Sequence, residues 1–142
     1  MTKPKPKPSR KKQQILDDHE RIRALLAQLA AAAEASATCR CLDDLQPLLQ
    51  RHFRDEEAEI DGLHAGIRQR TPQFWNALCG LRDEHVQLLA EAGALRQAAG
   101  AGTAPEQLRA LGHTLQQRVA AHEAKETELF VESIWTDLGE GD

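Results

Sequence analysis

Apolar residues recur at three- and four-residue intervals along four stretches of the chain, and the breaks between stretches fall at glycine, proline and short polar runs. Ile15, Ile22, Leu25, Leu26 and Leu29 lie on one helical face, which predicts a helix over residues 10–37. Cys39, Arg40 and Cys41 read as the following turn. A second helix starts near Asp43 or Asp44 as cap, tolerates Pro47 in or near its first turn, and runs to about Ile60. Gly62, Gly66 and the residues from Arg68 to Arg70 read as a loop. Thr71 then caps a third helix with Pro72 at its first position, ending near Ala99. Thr103 and Glu106 have capping-box spacing for a fourth helix that reaches about Ile134.

Four helices with short connections pack as antiparallel neighbours, so the expected fold is all-α, an up-and-down four-helix bundle over residues 10–135. Residues 136–142 read as a C-terminal tail. Residues 3–8 alternate lysine with proline. Proline lacks the amide donor and pushes its predecessor toward extended backbone, so residues 1–9 read as a disordered basic arm.

Composition supports this picture and narrows it. With 142 residues and 41% hydrophobic content the chain suits one domain with one core, and the absence of Tyr with only three Phe and two Trp favours helices over sheets. Six of the eighteen basic residues fall in the first twelve positions, leaving a body with twelve basic against twenty-two acidic groups. An acidic body argues against a specific nucleic-acid surface, although the arm suits a weak polyanion contact. No apolar run is long enough to span a membrane and the N-terminus lacks a secretory h-region, so a cytoplasmic protein is expected. Cys39, Cys41 and Cys79 are odd in number and give no disulfide framework; packing or loop roles are expected for them.

The candidate chemistry lies inside the apolar stripes. His19 falls between Ile15 and Ile22, and His85 between Leu81 and Leu88, so both face the core. His52 and Glu56 share a helical face, as do His122 and Glu126, because residues four apart are neighbours on a helix. The chain therefore holds two half-repeats, each a lone His followed by His-x-x-x-Glu. Four imidazoles and two carboxylates buried together are costly unless something compensates them. A pair of metal ions does so, and mixed nitrogen and oxygen donors suit iron, zinc or manganese better than calcium or magnesium. The candidate metal ligands are His19, His52, Glu56, His85, His122 and Glu126.

Other residues read differently. His113, nine residues before His122, points to solvent, and His64 sits in the expected loop with a surface role. Glu57 and Glu123 are turned about 100° from their ligand neighbours and read as solvated. No nucleophile or general base stands out beyond the ligands, which argues against an organic-substrate enzyme.

Asp18 and His19 with Ile22, His52 with Glu56 and Glu57, Glu84 and His85 with Leu88, and His122 with Glu126, Leu129 and Phe130 together resemble the hemerythrin-like, or HHE cation-binding, family across residues 13–134. The resemblance implies two non-heme iron ions in a four-helix bundle, bridged by the two carboxylates, with zinc or manganese as lesser alternatives. His19 and His52 would serve one ion, His85 and His122 the other. Oxygen carriers of that family have a fifth His where this chain has Leu81, and their last carboxylate is an Asp one position beyond Glu126. The four-His, two-Glu set resembles the bacterial branch instead. The implied function is binding of a small diatomic or oxidant (O2, NO or peroxide) for sensing, storage or protection. An iron store or donor for iron–sulfur cluster repair is the first alternative, and a metal-free helical interaction module the second. Ferritin-like di-iron proteins need Glu-x-x-His pairs, which are absent here.

Overall fold

The computed structural model describes residues 10–140; the basic arm read over residues 1–9 lies outside them. Five α-helices follow one another: α1 (Arg10–Ala31), α2 (Ala35–Glu57), α3 (Leu63–Arg70), α4 (Trp75–Gly100) and α5 (Pro105–Glu140), with a single 3-10 turn at Pro72–Phe74 before α4. No strand occurs among the described residues, and the chain is all-α. The long helices close a ring in which α1 packs on α2 and α5, and α4 packs on the same two. The short α3 lies against α2, α4 and α5.

Three sequence expectations need correction. The Cys39 to Cys41 segment is not a turn but part of α2, because Thr38, Cys41, Leu42, Leu45 and Leu49 form one buried stripe at helical spacing. Counting Thr and Cys as polar hides its first two members. The Cys41 thiol is buried and donates to the Leu25 carbonyl oxygen at 3.0 Å. Burial together with the nearby Asp44 pushes that thiol's pKa up, against a smaller opposing effect of Arg21. Pro47 consequently sits inside α2, on its exposed face, where water can satisfy the carbonyl that loses its partner.

The second correction concerns residues 63–70, which form α3 rather than a loop. Gly62 permits the tight entry: a Cβ there would lie 2.1 Å from the Ala58 carbonyl oxygen, so only glycine fits. Thr71 does not cap α4; its hydroxyl donates back to the Ile67 carbonyl oxygen at 2.8 Å and closes α3. The third correction is at the C-terminus, where α5 continues past Ile134 to Glu140, through most of the segment read as a tail. At its other end α5 starts at Pro105, with Leu108 N–H donating to the Ala104 carbonyl. Gly102, at φ 85°, makes the left-handed turn between α4 and α5.

The core is in two parts. A large cluster joins Ile22, Leu25, Leu26 and Leu29 of α1 to Leu42, Leu45 and Leu49 of α2, Leu88 and Leu95 of α4, and Leu108, Leu115 and Val119 of α5. A smaller one joins Ile67 of α3 to Leu78 and Leu81 of α4, with Leu129 of α5 against it. Along α4, His85 falls between the two clusters, and along α5 so do His122 and Glu126. Leu29 is fully buried, and a Cβ on Gly112 would approach its side chain to 3.0 Å, so α1 and α5 pack closely there. Leu29→Ala is expected to cost about 2–5 kcal/mol of unfolding free energy in a urea titration, the range for a buried leucine that leaves a cavity.

Candidate metal centre

Each half-repeat is delivered by one helix pair. His19 on α1 and His52 on α2 bring their ring centroids to 4.7 Å, and His85 on α4 and His122 on α5 bring theirs to the same separation. Phe53, next to His52 in α2, stacks on His85 at 4.0 Å. Phe53 thus contacts imidazoles of both pairs, His52 on its own helix and His85 and His122 across the bundle.

The carboxylates link them. Glu56 is fully buried and is approached by His52 Nε2 at 3.3 Å and His85 Nε2 at 3.5 Å on one oxygen, and by His19 Nε2 at 3.7 Å on the other. It therefore touches imidazoles of both halves. Glu126 Oε1 lies 2.8 Å from His122 Nε2, and its Oε2 lies 3.9 Å from His85 Nε2. Burial alone would raise the Glu56 carboxyl, but the three surrounding imidazoles outweigh it and hold its pKa well below the usual carboxylate range. His52 responds in the opposite sense: burial opposes its protonation, while Glu56, Asp18 and Glu126 together raise its pKa. At His122 burial is likewise outweighed, by Glu126, Glu84 and Glu56.

A second set of carboxylates stands behind the imidazoles. His85 Nδ1 is 2.7 Å from Glu57 Oε2, and His122 Nδ1 is 2.8 Å from Glu84 Oε1. His52 Nδ1 faces Asp18 Oδ2 at 3.5 Å, Asp18 itself accepting from Arg51 at 2.6 Å and Gln14 at 2.8 Å. Burial would raise the Glu84 carboxyl, but Lys125, 2.6 Å away, and His122 lower it. A carboxylate accepts a proton-bearing Nδ1, which fixes the tautomer and leaves the Nε2 lone pair pointing into the centre. Glu57, read from sequence as solvated, belongs to this set because α4 brings His85 to it, a meeting that no spacing within α2 reveals. Glu123 is also not free: it is buried against α1 and accepts from Arg23 at 3.2 Å.

The residues fit a metal. His19 Nε2, His85 Nε2, His122 Nε2, both Glu56 oxygens and Glu126 Oε1 are buried without a hydrogen-bond partner. Even the 2.8 Å approach of His122 to Glu126 is at an angle that makes no hydrogen bond. Buried polar atoms are rarely left so, and here they converge. Ligand atoms of Glu56, His85, His122 and Glu126 lie within 4.8 Å of one another, as do those of His19, His52 and Glu56. Each group could hold one ion, with Glu56 common to both.

The structure also places two histidines the sequence set aside. His113 is exposed, as expected, and meets only Gln117 at 3.2 Å in its own helix. His64 is the reverse of its expected surface role: it is fully buried, with Nε2 2.8 Å from Glu126 Oε2. Reading residues 63–70 as a loop concealed it. A cavity of about 490 Å3 opens onto His19 and Glu126, walled by Ile15, Leu16, Leu63 and Phe130.

No helix among the described residues is long and apolar enough to cross a membrane. No curated protein and no solved structure shows significant similarity to the chain. The model of the hemerythrin HHE cation-binding domain, however, matches residues 12–132, a span that begins in α1 and takes in all six candidate ligands. With that match over most of its length, and buried His and Glu groups able to hold metal at its centre, the chain belongs to the hemerythrin HHE cation-binding family.

Proposed function

We propose that this protein holds two iron ions through His19, His52, Glu56, His85, His122 and Glu126, and that the pair binds a small diatomic or oxidant, O2, NO or peroxide, in sensing, storage or protection. The observation that carries the reading is the convergence of buried, unpartnered Nε2 and carboxylate oxygen atoms on one region from four helices. When bound, the metal pair supplies open coordination positions and can exchange electrons with such a ligand.

The chain's own residues do the rest. Glu57 and Glu84 orient the His85 and His122 imidazoles from behind, so that little reorganisation accompanies binding in that half. The two apolar clusters above and below the centre exclude water and lower the local dielectric. Access is through the cavity beside His19, whose surface is mainly apolar, with Lys12, Asp61 and Arg70 also lining it. His19 is the most exposed of the four imidazoles, at 20% of its side chain, which puts the accessible side of the centre in the His19 and His52 half.

That asymmetry also favours a second reading. The His19, His52 and Glu56 group offers three ligands against four in the other half, so its ion is the more readily surrendered. An iron donor to an acceptor protein would use this half.

Metal analysis with absorption spectra of the purified protein tests the proposal. About two irons per chain, with ferric charge-transfer bands that change when nitric oxide or azide is added and vanish in His122→Ala, are expected on the ligand count and donor types present. Zinc alone, or no stoichiometric metal, overturns it.

A further inference from the structure

Helix α3 supplies none of the six residues above, yet it sends an imidazole to them. His64 is 0% exposed, its ring lies nearly parallel to that of His85 with centroids 5.4 Å apart, and its Nε2 is 2.8 Å from Glu126 Oε2. An ionised carboxylate can only accept, so with Glu126 ionised the proton of this hydrogen bond sits on Nε2. The position is built rather than incidental. Gly62 allows the tight entry into α3, Ile67 anchors the helix on Leu78 and Leu81, and Thr71 closes its end.

The two carboxylates of the centre are thereby made different. Glu56 has no hydrogen-bond partner on either oxygen, and imidazoles of both helix pairs surround it. Glu126 has one oxygen occupied by His64 and one, Oε1, unpartnered beside His122. A carboxylate with both oxygens free can span two ions. One whose second oxygen accepts from a fixed donor keeps a lone pair there but is held in a single orientation.

We propose that His64 is a positioning residue of the metal centre: by donating to Glu126 Oε2 it holds that carboxylate in the orientation that turns Oε1 toward the ion held by His85 and His122. The inference rests on the two-metal reading above. It makes the centre unequal by construction, with a four-ligand half braced from α3 and a three-ligand half facing the cavity. Metal loading should therefore be stepwise, with the braced half filling first.

Cobalt(II) titration of the full-length metal-free protein, followed by its visible ligand-field bands, tests this without reference to activity. Wild type should fill in two steps. His64→Leu, which cannot donate, should weaken the first step by about 10–100-fold, the usual effect of removing a hydrogen bond to a metal ligand, and alter its band pattern. His64→Gln, whose amide N–H can reach Glu126, should restore both. Far-UV circular dichroism confirms folding, and His64→Asn, too short to reach, replaces His64→Leu if the latter does not fold. First-step affinity unchanged in the non-donating variant overturns the proposal, and so does His64→Gln as weak as His64→Leu, since ring packing would then be the role. A wild type that binds no cobalt overturns the two-metal reading and this inference with it, whereas two-step wild-type binding with an unaffected variant overturns this inference alone.

Discussion

Loading the metal-free protein with zinc, a redox-silent stand-in for iron, should raise its melting temperature by roughly 10–15 °C per ion bound. At free metal a thousandfold above the dissociation constant, a ligand confined to the native state contributes about 4 kcal/mol. A domain of this size shifts by about 3–4 °C per kcal/mol. The structural reason for so large an effect is the location of the centre. Four imidazoles and two carboxylates occupy the gap between the two apolar clusters, and without metal many of their inward atoms lack hydrogen-bond partners. Each such atom forfeits hydration on folding and gains little in return. Calorimetric scans with and without a chelator make the comparison, and a chelator-insensitive melting temperature at saturating metal would falsify it.

Glu56→Ala should be the most damaging single change to metal content. Glu56 contacts His19, His52 and His85, so it is the one candidate ligand that appears in both groups able to hold an ion. Its removal weakens both halves and leaves their imidazoles without the anion between them. The variant should lose both ions in dialysis that leaves wild type loaded, a larger loss than the about 10–100-fold expected of an outer hydrogen-bonding partner. His19→Ala should release only the ion of its own half. Inductively coupled plasma analysis of the dialysed proteins gives the result; equal metal content in Glu56→Ala and His19→Ala would remove Glu56 from its bridging place.

The sequence made the bundle and its candidate ligands legible because both are periodic features. His19 and His85 occupy apolar-stripe positions, and a four-residue spacing puts His52 with Glu56 and His122 with Glu126. These relations are local to one helix, and the structure brings all six residues together. The parts that escaped are of two kinds. In α3 the inward positions His64, Ala65 and Ile67 span barely one turn, and the flanking glycines and arginines resemble a loop, so no periodicity could register. The start of α2 is hidden in the sequence because Thr38 and Cys41 count as polar, yet both are buried. Glu57 and Glu84 required knowledge of which helix stands opposite which. Adjacent in sequence to Glu56 and His85, they act on imidazoles of the facing helices, His85 and His122. That information exists only once α4 is packed against α2 and α5.

The carboxylates behind the imidazoles bear on electron transfer as well as on orientation. An imidazole that donates from Nδ1 to a carboxylate gains basicity at Nε2 and favours the higher oxidation state of an ion it holds. In the His85 and His122 half both Nδ1 atoms have carboxylate partners, at 2.7 and 2.8 Å. In the other half Asp18 Oδ2 stands 3.5 Å from His52 Nδ1 without a hydrogen bond, while Arg51 and Gln14 hold its other oxygen. Redox-active metal ions bound here would differ in reduction potential, the lower belonging to the braced half. The half facing the cavity would be the more easily reduced one, and His19, His52 and Glu56 would hold the ion that an incoming ligand meets.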